Sequence, residues 1–205
     1  MSANGKVLIG FSKPYVAQYT ESGGAVSYSN GQILARGVSV SISPDSNDDN
    51  NFYADNILAE SVGAVFTGGE FTLGVDGLFA DTEKFIFGLP SPDTYTVTSG
   101  TTVSMYKYGV GANAPYVGIG YIEKWMSDGT TYYTPVILRK CRFNLPEEGA
   151  ETQGEDIDWQ TRELTGRIMR DDTSSKDWKW KAADQTTEAA AENVVRTALG
   201  LAVLA

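Results

Sequence analysis

The chain has 205 residues, 16 of them lysine or arginine and 26 aspartate or glutamate, for a formal net charge of −10. That length fits one domain with a good core, and the acid excess disfavours sequence-independent binding to nucleic-acid phosphates, which lysine and arginine build. Histidine is absent and Cys141 is the single cysteine, which excludes imidazole chemistry, an intrachain disulfide and a thiolate metal cluster from one copy.

The N-terminal apolar run, Val7 to Gly10, is too short for a secretory signal. No stretch approaches the roughly 20 apolar residues of a membrane helix. The expectation is a protein made and kept in the cytoplasm, with no membrane anchor. In "RGVSVSIS" Val38, Val40 and Ile42 alternate with serines, the period of a strand with one buried face. The next segment, "SPDSNDDNNFYADNILAE" from 43 to 60, holds four aspartates, a glutamate and four asparagines with no basic residue. It reads as a long extended arm over about 43–63. Beyond it, Phe71, Leu73 and Val75 alternate with Glu70, Thr72 and Asp76 as a second strand.

"LFADTEKFIFG" spaces Leu78, Phe85 and Ile86 as a short helix over about 79–87, with Gly88 to cap it. Val117, Ile119 and Tyr121 then share one face of a strand, the chain turns at Asp128-Gly129, and it returns through Val136, Leu138, Cys141, Phe143 and Leu145. Ile157 and Trp159 sit on odd positions but Leu164 and Ile168 on even ones, so a bulge or a change of partner is expected near Arg162. Trp178 and Trp180 share a strand face and lead into "TTEAAAENVVRTALG", an amphipathic helix over about 187–199 ended by Gly200. Its stripe of Val194, Val195 and Leu199 needs a partner, and the two tryptophans are expected to pack beneath it.

Charge is unevenly placed. Nine acidic residues and no basic one lie between Arg36 and Lys84, and "EEGAETQGEDID" adds six more acids. Most basic side chains fall in "RKCRFN" and between Arg162 and Lys181. Such polarity fits two arrangements: the positive surface of one copy against the negative surface of the next, or solvated loops on a monomer.

Catalytic and metal-binding patterns are weak. Asp45, Asn47 and Asp49 resemble the opening of a calcium loop, but Asn50 stands where its glycine belongs and Asn56 where its closing glutamate belongs. Asp48 with Asp49, and Glu147 with Glu148, are adjacent acids in polar segments with nothing nearby to raise one pKa selectively. Cys141, without a histidine to activate it, reads as a core thiol. No phosphate loop, dinucleotide fingerprint or nucleophile elbow is present. The expectation is no enzyme, no cofactor and no metal.

The order of these pieces, from "KVLIGFSKPYVA" through "YADN", "GGEFTLGVDGL", "FIFGLP", "YVGIGYIEKWMSDG", "VILRKCRFNLP", "DWQTRELTGRIMRDD" and "DWKW" to the last helix, resembles the major tail protein of long, non-contractile-tailed bacteriophages that infect Gram-positive bacteria. The resemblance covers nearly the whole chain. It implies a single tail-tube domain over 1–205, mainly β, a sandwich or half-barrel flanked by a helix. Hexameric rings of this subunit would stack into a tube in the virion tail, assembled in the host cytoplasm. The implied partners are further copies of the chain, a tape-measure protein, a tail terminator and distal tail proteins. Double-stranded DNA would pass through without specific binding, repelled by acidic surface. The arm then becomes an inter-subunit or lumenal surface, with Phe52, Tyr53, Ile57 and Leu58 as anchors and Asp45, Asp48 and Asp49 facing water or the basic residues Arg139, Lys140 and Arg142 of another copy. The competing reading is a monomeric β-sandwich that binds glycan on a platform of Trp125, Trp178 and Trp180.

Overall fold

Strands in which large apolar residues alternate with small or polar ones build most of the molecule, a computed structural model that describes residues 5–152 and 159–204. The elements run β1 (Val7–Ser22), β2 (Ala25–Ile33), β3 (Gly37–Ser46), β4 (Asn50–Ala54), β5 (Ile57–Val62), β6 (Phe66–Val75), α1 (Ala80–Phe87), β7 (Asp93–Thr98) and β8 (Thr101–Met105), and continue with β9 (Val117–Ser127), β10 (Thr130–Phe143), β11 (Arg162–Met169), β12 (Lys179–Lys181) and α2 (Glu188–Ala198). The main sheet is antiparallel in the order β2-β1-β9-β10-β11-β6-β3, with β12 paired to β10. β4–β5 and β7–β8 are separate two-stranded sheets.

The main sheet curls until the start of β3 lies against β1. A Cβ on Gly37, the first residue of β3, would stand 2.2 Å from the ring of Phe11 in β1. Inside the curl lies the larger core: Phe71, Leu73 and Val75 of β6, Val117, Ile119 and Tyr121 of β9, Val136 and Leu138 of β10, and Leu164 and Ile168 of β11. Ile86 and Phe87 of α1 close it, and the left-handed conformation of Gly88 (φ 62°) ends that helix. The β9–β10 register shifts between Leu138 and Cys141, and that bulge lets Cys141 and Phe143 face the same core as Val136 and Leu138. The hairpin joining β9 to β10 turns at Asp128 and Gly129, both with positive φ (47° and 78°).

The other face of the sheet carries α2. Thr187 caps it by accepting from the Ala190 N–H at 3.2 Å. Its Ala191, Val195 and Leu199 pack on Tyr15 and Ala17 of β1, Ile122 of β9 and Ile137 of β10. The glycines of "VGIGYI" make this possible. A Cβ on Gly120 would lie 2.5 Å from Val195 and 3.0 Å from Leu199, and one on Gly118 would lie 2.9 Å from Leu199. Glycine on one face and Val117, Ile119 and Tyr121 on the other thus serve a close helix and a dense core at once.

Three expectations are corrected here. Neither Trp178 nor Trp180 lies under α2, and Val194 is only half-buried, on the outer side of the helix. The seat of α2 spans β1, β9 and β10, whereas β12 pairs along the edge of β10 away from β9. Trp180 therefore shares the α2 side of the sheet, opposite Ile137, but lies to one side of the helix. Trp178 packs against the larger core. Leu145 lies beyond β10 and is exposed, as is Trp159, because β11 begins only at Arg162. The change of parity there marks the start of a strand, not a bulge. Ile157 and the end of the acidic run fall outside the described residues.

Candidate functional site

The acidic arm is a β-hairpin, not an extended loop. Asp55 and Asn56, both with positive φ (50° and 62°), form the turn between β4 and β5, a conformation that suits aspartate and asparagine. Side chains brace its root: Asn47 Oδ1 accepts from the Val65 N–H and Asp49 Oδ1 from the Ala64 N–H, each at 2.7 Å. Asn47 and Asp49, two of the oxygens that suggested a calcium loop, are thus turned onto the hairpin's own backbone. Beyond the root every residue of β4 and β5 is exposed. Phe52 is 62% exposed and Ile57 67%, with Tyr53 and Leu58 paired across the strands beside them. Asp45, Asp48, Asp49, Asp55 and Glu60 form no ion pair among the described residues.

A second hairpin, β7–β8, went unread in the sequence. Its register sets Tyr95 opposite Val103 and Asp93 opposite Met105 on one face, with Thr94 opposite Ser104 and Thr96 opposite Thr102 on the other. Tyr95, Val97, Val103 and Met105 are exposed. The signal was available in "TYTVTSGTTVSM", where alternation flanks a serine-glycine turn. An isolated two-stranded hairpin is marginally stable in water, and clustered exposed apolar side chains mark interaction surfaces.

The basic residues expected to receive the arm are placed otherwise. Arg139 is 4% exposed and its guanidinium bonds Asp171, itself buried, at 2.9 Å. The Trp180 ring covers that guanidinium at 3.6 Å. Lys140 pairs with Asp172 at 2.6 Å, and Tyr19 donates to the same carboxylate at 2.8 Å. The hydrogen bonds from Lys140 and Tyr19 hold Asp172 below the usual carboxylate range, while burial and the Asp172 bond push Tyr19 up to about 12. Arg139 and Lys140 are neutralised within their own chain, and only Arg142 remains at the surface, where it bonds Asn113.

Another set of cations takes their place. Arg170 donates to the Phe66 carbonyl at the end of the arm. The Phe66 and Trp178 rings stack at 4.5 Å with 8° between their planes, and the Lys179 ammonium lies 4.8 Å from the Trp178 ring. Arg170 and Lys179 are exposed and have no ion-pair partner among the described residues. Trp125 lies between Lys6 and Lys181 at 4.9 and 5.1 Å, its indole N–H donating to Glu123 at 3.2 Å. Each tryptophan of the supposed glycan platform is thus engaged by its own chain.

Beneath α2 lies a polar cluster gathered around the buried Glu192. Glu192, 5% exposed, accepts from the Tyr15 hydroxyl at 2.5 Å and from Lys13. Burial pushes the Glu192 carboxyl up, but the bonds from Lys13 and Tyr15 outweigh it and hold it below its ordinary value. Arg196 donates to the Tyr15 oxygen at 3.0 Å, and Ser12 to Glu188 at 2.7 Å. Cys141 is fully buried, and burial pushes its thiol far above the ordinary range, leaving it unreactive at neutral pH. No family model matches this chain, and no curated protein matches it.

Proposed function

We propose that this protein is the tail-tube subunit of a long-tailed phage or a related tail particle, a structural protein and not an enzyme, whose hexameric rings stack into a conduit for double-stranded DNA. The observation that carries the reading is the pairing of a complete core with an incomplete surface. The sheet and α2 satisfy each other, while two hairpins extend with their apolar side chains in water. A subunit built to join others needs both. β2 and β3, the ends of the sheet order, supply open backbone edges to a neighbour. The acidic arm suits either a lumen that must not retain DNA or a contact between copies.

In this reading the virion tail is the destination, the host cytoplasm the place of assembly, and a tape-measure protein, a terminator and distal tail proteins the other partners. Negative-stain images of concentrated protein test it. Rings or tubes are the expected outcome. Featureless monomers at high concentration, across salt conditions and in the presence of preformed tube ends, would end it.

A further inference from the structure

We infer that the acidic hairpin β4–β5 docks on the Phe66–Trp178 patch of a second copy, with Arg170 and Lys179 as its counter-charges. The inference rests on the self-association in the proposed function and names the two surfaces that meet. The hairpin offers Leu58 with Tyr53 paired opposite it on one face, flanked in sequence by Asp55 and Glu60, all exposed. The patch offers the half-buried Trp178 flanked by Arg170 and Lys179, both exposed. Apolar centre faces aromatic centre, and unpaired acids face unpaired cations. Tryptophan and arginine are also the side chains that most often dominate binding energy.

The charge pattern selects a second copy of this chain as the occupant. The hairpin cannot easily serve its own patch. Arg170 and Phe66 lie where the hairpin leaves the sheet, and the side-chain bonds from Asn47 and Asp49 to the Val65 and Ala64 N–H groups hold that root stiff. Its tip is therefore held away from the patch beside its base. The two surfaces also differ from each other, so the contact is head-to-tail. Such a contact propagates into rings or filaments instead of closing as a two-fold dimer.

Charge reversal and cross-linking test the inference together. Asp55→Lys with Glu60→Lys in one variant, and Arg170→Glu with Lys179→Glu in another, should each lower assembly at least about tenfold at low salt. Combining all four in one chain should restore it. Reversals that assemble like the wild type, or a combined variant that stays monomeric while folded by circular dichroism, would overturn the docking. For the second measurement, Asp55→Cys chains are mixed with Lys179→Cys chains and treated with a short bismaleimide, the buried Cys141 being unreactive. A dimer that appears only in the mixture is expected. Tubes without that dimer would remove the docking and leave the tube reading in place. The dimer without rings or tubes would do the reverse, and neither product would remove both.

Discussion

The seat of α2 and the acidic hairpin use the same kinds of side chain to opposite ends. In the seat, Val195 and Leu199 meet Gly118 and Gly120 so closely that no Cβ fits between them. In the hairpin, Phe52, Tyr53, Ile57 and Leu58 stay mostly exposed, with only the two hairpin strands beside them. Polar groups divide likewise. Glu192 under the helix collects a tyrosine and a lysine, while Asp48, Asp55 and Glu60 collect no cation. What separates the regions is whether the chain supplies the complementary surface, not how apolar the segment is.

The contrast can be broken from the inside first. Asp171→Ala would leave Arg139 buried without its carboxylate, and unfolding free energy should fall by about 3–5 kcal/mol. A urea midpoint that stays put would show that the guanidinium finds water instead. Leu199→Ala, which removes the end of the apolar seam, should cost about 2–5 kcal/mol in the same titration. Gly120→Ala presses a methyl against Val195 and should cost about 1–3 kcal/mol by overpacking. It should also loosen α2 in hydrogen exchange before the main sheet.

Acid sharpens the contrast further. Because the Glu192 carboxyl is held below its ordinary 4.5 in the folded chain, its contribution is present above that value. It is lost as pH falls through the folded value. Thermal melts taken between neutral and acid pH should therefore show a decline that Glu192→Gln reduces. A variant declining just as steeply would place the acid sensitivity elsewhere. The smallest effect on folding belongs to the hairpin: Tyr53→Ser with Leu58→Ser should leave monomer stability within about 0.5 kcal/mol of wild type. The same pair should abolish assembly, as read by sedimentation. A large loss of monomer stability would mean that the hairpin packs on its own chain.

Much of the sheet could be read from alternation. Phe71, Leu73 and Val75, and Val117, Ile119 and Tyr121, face the core as their spacing implies, because a strand's faces alternate residue by residue. The bulge after Leu138 and the late start of β11 were hidden, since both depend on which strands pair. The charges failed for a related reason. "RKCRFN" looks like a basic surface in one dimension, but Arg139 and Lys140 are neutralised by Asp171 and Asp172 some thirty residues later, once β10 is in place. Likewise "DWKW" precedes α2 in sequence, yet β12 joins the edge of β10 away from the seat. The glycines of "VGIGYI" were in view throughout, but only the approach of α2 gives them a role.

The position of β11 also governs the order in which the chain can be completed. It lies between β10 and β6, joining β2-β1-β9-β10 on one side to β6-β3 on the other. Both flanking strands leave the ribosome before it does. At roughly 5–20 residues per second of synthesis, the nascent chain waits for several seconds with the edges of β6 and β10 unpaired while β11 is made. Open strand edges invite pairing with other chains. A chain that stops before Arg162 keeps those edges open, so truncated products of this protein should aggregate, and chaperones that hold nascent chains should matter more to its yield than to its final stability.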